Sequence, residues 1–229
     1  MTTGIARGTG FSTAPDGVEV ASFAVSKRKE LIVIDFFTQL VLEGRVFHMQ
    51  IGTEDAPVDS TGAVADTTVW MVADNSVGTT MIPTYIDVWV STSGAGSATL
   101  EAYVEVDRLL NRYNTGGTAY VPENMRTDRP RVSTVTNCYV GTDITLDAKS
   151  SVPSSMELAR ACYFEDTPTN SNEPVDFAMN AQKLYSVLER PTIAIVDVGS
   201  LITHLGASTN DVTGYGLMEW AEIPTEATK

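Results

Sequence analysis

The sequence predicts an all-β fold, a sandwich or barrel of short antiparallel strands. Two observations carry this. Apolar residues recur with a period of two, and the apolar runs are separated by clusters of Gly, Pro, Asn, Asp, Ser and Thr. A third is composition: the chain is rich in Thr and Val and has only five Lys among 229 residues. β-Branched side chains suit a pleated, half-buried surface.

Residues 1–17 read as an N-terminal arm, followed by a single domain over 18–229. Val18–Val25 opens the domain. Glu30–Phe37 is apolar on both faces, with Ile32, Ile34 and Phe36 on one and Leu31, Val33 and Phe37 on the other. A strand of that kind is covered twice, here by an insertion or by another subunit. Phe47, Met49 and Ile51 then alternate with Val46, His48 and Gln50, and Val69–Ala73 follows. Ile86, Val88 and Val90 alternate with Tyr85, Asp87 and Ser91.

The clearest alternation is Thr99–Arg108. Leu100, Ala102, Val104 and Val106 face one way, and Thr99, Glu101, Tyr103, Glu105 and Asp107 the other. Thr134–Val140 and Met156–Phe164 are further strands. Asp176–Glu189 fits both helical spacing and strand alternation, and a strand or irregular segment is expected there. Thr192–Val198, Leu201–Leu205 and Tyr215–Ile223 close the fold.

A net charge of −14 and the lack of a polybasic arm disfavour direct nucleic-acid binding. The longest purely aliphatic run, Leu31–Ile34, is far too short for a bilayer-spanning helix, and no membrane partner is expected. The first residues lack the apolar stretch of a signal peptide, so synthesis in a cytoplasm is expected.

Signals for chemistry are sparse. His48 and His204 lie in strand runs, and Ser200 sits in DVGSL, which lacks the second Gly of a nucleophile elbow. Gly94-Ala95-Gly96 reads as a hairpin turn, and no zinc-ligand spacing occurs. Glu54, Asp55 and Asp59 share a loop, while Asp143 and Asp147 flank a short strand; loop spacing alone does not make a cation site. Trp70, Trp89 and Trp220 read as core or interface residues. Cys138 and Cys162 read as buried thiols, with a bridge left open. The expectation is a protein that is not an enzyme and needs no cofactor. Arg108, Arg112, Arg126, Arg129 and Arg131 are close in sequence within an acidic chain. They are candidates for a subunit-contact patch, because guanidinium pairs bidentately with carboxylate. Ile32, Ile34 and Phe36 are candidates for a buried interface.

Asn114–Pro130, NTGGTAYVPENMRTDRP, resembles a recurring segment of tailed-phage virion proteins, with a Gly-Gly-Thr pair, an apolar step to Pro, then Asn and an Arg-containing turn. The segment STVTNCYVGTDITLDA that follows, and the closing Met218-Glu219-Trp220-Ala221-Glu222, are similar to that family as well. The Asn after Pro122 is delayed by Glu123, and residues 165–190 depart from the pattern. The resemblance implies a jelly-roll-like antiparallel sandwich, a homotrimer on the capsid surface that binds itself and the major capsid protein as a decoration or cement protein. Two other readings accompany it: a single-jelly-roll major capsid protein, and a receptor- or carbohydrate-binding sandwich of a tail or fibre.

Overall fold

The computed structural model describes residues 35–60, 68–92, 99–128, 130–149, 154–164, 182–207 and 212–227, with short strands at 12–13, 19–20, 24–25 and 31–32. The chain divides into two compact units, Met1–Leu42 and Glu43–Lys229. The expected arm over 1–17 lies outside the described residues except for Ser12–Thr13.

The first unit pairs β1 (Ser12–Thr13) with β2 (Glu19–Val20) and β3 (Ala24–Val25) with β4 (Leu31–Ile32), then forms helix α1 (Phe36–Leu42). The doubly apolar strand expected over 30–37 is therefore corrected. Strand geometry covers Leu31–Ile32, and Phe36 opens a helix with its side chain 54 % exposed. Asp35 is the cause. Its Oδ1 accepts the Thr38 backbone N–H at 3.0 Å and its other oxygen accepts the Thr38 hydroxyl, so it caps the helix. Those bonds hold its carboxyl below the usual range. Ile34 lies outside the described residues.

The second unit is an antiparallel sandwich. Its strands are β5 (Val46–Ile51), β6 (Val58–Asp59), β7 (Thr68–Asp74), β8 (Thr79–Thr92), β9 (Thr99–Asp107), β10 (Tyr113–Thr115), β11 (Thr118–Ala119), β12 (Glu123–Asn124), β13 (Asn137–Leu146), β14 (Ser155–Phe164), β15 (Gln182–Ser186), β16 (Ile195–Val196), β17 (Ser200–Ala207) and β18 (Thr213–Pro224). One sheet runs β10-β13-β7-β17-β9-β14 with β11 also on β13, and the other runs β12-β5-β18-β8-β15 with β16 on β8 and β6 on β18.

The eight long-range strands β5, β7, β8, β9, β14, β15, β17 and β18 pair first with last, second with seventh, third with sixth and fourth with fifth. That nesting, with successive pairs placed alternately in the second and the first sheet, is the jelly roll. The alternation seen in sequence explains the interior: Phe47, Met49, Ile86, Val88, Met218 and Trp220 of one sheet meet Ala102, Val104, Val106, Leu201 and Leu205 of the other.

The outer face of the first sheet is covered too. Tyr103, Glu105 and Asp107, the polar side of the Thr99–Arg108 alternation, are all buried. Every residue of β17 is buried as well. A strand covered on both faces is found at Ser200–Ala207. A second apolar cluster, Val69, Val72, Ile144, Leu146 and Ile202, packs on that face against Tyr113 and Tyr139, whose rings stack at 3.9 Å. Cys138 is a free buried thiol whose Sγ lies 3.2 Å from Met49 Sδ, and burial pushes its pKa up to about 12. It is not bridged: three strands separate β13 from β14, which carries Cys162. Asp176–Glu189 resolves as strand over Gln182–Ser186, with 165–181 outside the described residues.

Candidate interaction surface

Between the fourth and fifth strands of the jelly roll the chain makes a long excursion, from Arg108 to Ser154. It leaves along the first sheet, where β10 and β11 pair with β13, and crosses to the edge of the second, where β12 pairs with β5. It then returns as β13 beside β7. The crossing therefore spans the open side of the sandwich.

Three sets of bonds fix it. Tyr120 N–H donates to the Cys138 carbonyl at 2.8 Å, and Met125 N–H to the Val46 carbonyl at 3.0 Å. Asn124 Nδ2 donates to the carbonyls of Gly44 at 2.9 Å and Arg131 at 3.2 Å, while its Oδ1 accepts the Arg126 N–H at 2.8 Å. Asn124 thus closes the loop 124–131 on itself and ties it to the sheet edge. Glu222 holds the return. Its carboxylate accepts the Ser133 hydroxyl, the Thr134 N–H and hydroxyl at 2.8 Å each, and Trp220 Nε1–H at 2.9 Å. A buried carboxylate with four donors is satisfied within the fold.

The braced crossing presents apolar side chains outward: Val121 is 81 % and Val132 85 % exposed, with Met125 exposed as well. Beside it is a hollow of about 120 Å³ at the start of β5 and the end of β18, lined by Arg45, Phe47, Thr79, Arg131, Val132, Ile223 and Pro224 among others.

The arginines separate in the structure. Arg112 is fully buried, so it is corrected from a surface-patch residue to an internal one. Its Nε donates to the Asp147 carbonyl at 2.7 Å, and its Nη1 lies 3.3 Å from Glu105 and 3.6 Å from Asp107. Arg108 is exposed, with Nε 3.4 Å from the Ser154 carbonyl. Arg126 forks onto Asp128 at 2.7 and 3.1 Å, so its charge is matched locally. Arg131 is exposed at the hollow, and Arg129 lies outside the described residues. Ile32 sits in β4, which pairs with β3 in the first unit.

The other candidate residues serve the fold. His204 is buried with its ring stacked on Tyr103 at 4.1 Å, and the Arg160 guanidinium lies over the Tyr103 ring at 4.4 Å. His48 Nε2 lies 3.5 Å from Glu123. Trp70 and Trp220 are core residues, whereas Trp89 is half-buried and stacks on Tyr215 at 5.0 Å. Among the described residues no three His, Cys, Asp or Glu side chains converge to hold a metal ion.

Sequence reasoning missed two features. One is the tie that Asn124 makes to Gly44 and Glu222 makes to Ser133 and Thr134, which joins residues 80 or more apart in sequence. The other is a carboxyl pair on the second sheet. Asp87 is buried, and Glu219 sits opposite Tyr85, whose hydroxyl donates to Asp87 at 2.7 Å. Burial raises both carboxyls, with the Asp87 charge adding to the effect on Glu219; burial and then Asp87 push Tyr85 up to about 12. A carboxyl with a raised folded pKa makes the native state take up protons more readily, so it favours folding as pH falls from neutrality toward the ordinary carboxylate range. Asp87→Asn is therefore expected to raise the melting temperature at pH 7.5, with the gain over wild type shrinking as pH falls toward the ordinary carboxylate range and the native Asp87 protonates. Melting curves of both proteins across that range check this; a gain that grows with acidity contradicts it.

Comparison with known protein families, curated proteins and solved structures yields no match to this chain.

Proposed function

We propose that the chain is a structural virion protein of the capsid-decoration or cement type, made in the host cytoplasm and carried on the capsid surface. It works by adhesion, holding to copies of itself, as a trimer, and to the major capsid protein.

The observation that carries this reading is the crossing segment. Irregular chain spanning the sandwich edge is fixed by backbone bonds and by two dedicated side chains, Asn124 and Glu222, yet Val121, Met125 and Val132 point to solvent. Exposed apolar groups on a rigid frame fit an interface, because little conformational entropy is lost when they dock. The resemblance of Asn114–Pro130 to virion proteins falls on the same segment. The jelly roll serves capsid proteins and lectins alike, so the fold by itself does not choose between them.

The test is a double variant, Val121→Asp with Val132→Asp. Both side chains are more than four-fifths exposed, so the melting temperature should stay within about 2 °C of wild type. Binding to shells and self-association, followed by sedimentation, should fall about tenfold or more. Unchanged association of a correctly folded variant contradicts the reading.

A further inference from the structure

We propose that copies of this chain join head to tail, with Leu188 of one copy seated in the hollow beside Arg131 of the next. The inference rests on the assembly reading above and names one contact that assembly uses.

Leu188 is a knob. It is 84 % exposed, and it stands on a braced turn. Val187 N–H donates to the Thr84 carbonyl at 2.9 Å, and the Glu189 and Arg190 N–H groups both donate to the Ser186 carbonyl, at 3.0 and 3.1 Å. Arg190 Nη1 anchors the far side on the Leu158 carbonyl at 2.7 Å. A large aliphatic side chain held rigidly in water on a tight turn carries an unrecovered hydration cost.

The hollow is the matching socket. Its floor and walls include Phe47, Val132, Ile223 and Pro224, and its volume is about 120 Å³. Apolar cavities of that order, ~150 Å³, take up a single benzene-sized group, which is the scale of one leucine side chain. Charge agrees with shape. Glu189 follows the knob, and its partner Lys183 is an exposed ion pair that contributes little. Arg131 lies at the socket, with no side-chain partner among the described residues. The Glu222 carboxylate lining the socket is already saturated by Ser133, Thr134 and Trp220, so it offers no competing acceptor.

Knob and socket lie apart on one molecule. The socket includes Thr79, and the knob turn joins the same strand at Thr84, about 17 Å further along at strand rise. A contact between two different patches is heterologous, and it closes a ring or grows a chain; the three-membered ring is the trimer proposed above.

Two single variants test the contact: Leu188→Asp removes the knob and Val132→Asp blocks the socket. Each should keep its circular-dichroism spectrum and melting temperature, sediment as a monomer, and lose association about 30-fold or more. Mixed in equal amounts, they retain one intact knob and one intact socket, and should form a species of twice the monomer mass and nothing larger. As a second measurement, a Leu188→Cys chain mixed with a Val132→Cys chain should cross-link between copies, whereas Leu188→Cys with Val121→Cys should not. A folded Leu188→Asp that associates like wild type, or a mixture that stays monomeric, overturns this contact. If association persists in Leu188→Asp but is lost in Val121→Asp with Val132→Asp, the contact fails and the assembly reading survives. A wild-type chain that is monomeric both in solution and on particles overturns both.

Discussion

Replacing Arg112 with Ala should cost about 3–5 kcal/mol, the range found when one partner of a buried ion pair is removed. For a chain of this length that is a fall in melting temperature of roughly 6–20 °C. The side chain is fully buried, and its loss leaves Glu105 with Lys149 at 3.0 Å and the Ser155 hydroxyl, and Asp107 with no cation within ion-pairing distance among the described residues. The damage spreads because the same place joins four strand ends. Asp74 at the end of β7 accepts Ser200 Oγ–H at 2.5 Å, Asn137 Nδ2–H at 2.9 Å and the backbone N–H groups of Arg112 and Tyr113. Burial raises the Asp74 carboxyl despite those donors. Neutralising the cluster as a set, with Arg112→Met, Glu105→Gln and Asp107→Asn together, should recover much of the loss, since desolvation is the main cost of buried charge. Denaturant melts of the single and triple variants decide this. A single variant within 1 kcal/mol of wild type would show that the ion pairs are not structural.

Gly116→Ala should be nearly as damaging, by about 3 kcal/mol or more. Gly116 and Gly117 have φ of 87° and 70°, a region that L residues rarely adopt. They lie over the irregular part of β13, where pairing with β7 shifts between Val140 and Ile144. A Cβ on Gly116 would meet the Asp143 carbonyl oxygen at 1.8 Å, and one on Gly117 the Ile144 side chain at 2.5 Å. Backbone must move in the first case. The variant should lose the β10 and β11 pairings first, read as faster amide exchange at Thr115 and Thr118. Wild-type exchange at those amides contradicts the account.

Much of the fold was legible because it is written in local alternation. The Thr99–Arg108 pattern placed Ala102, Val104 and Val106 in the core. The same pattern misled on the other face, since Glu105 and Asp107 are charged yet buried: their partners Arg112 and Lys149 come from the excursion and Ser155 from the start of β14, and no period reports such a contact. The helix at Phe36 was hidden by apolar residues that satisfy a strand equally well, although Asp35 followed by Thr38 was a usable capping signal. The five arginines group by closeness in sequence, which says nothing of where each side chain turns. It could not separate Arg112, turned inward, from Arg131, turned out. The socket was illegible because its walls come from β5, β8, β18 and the crossing, four places far apart in the chain.

The central claim is that this chain is an adhesive component of a virus particle, and locating it tests that most directly. Purified virions imaged at a resolution that resolves subunits, with the chain identified by a tag or an antibody fragment, should show it on the outer shell in groups around local symmetry axes, its crossing segment 120–134 against neighbouring subunits. Its absence from particles, or its presence with Val121 and Val132 facing bulk solvent and touching no neighbour, would contradict the account.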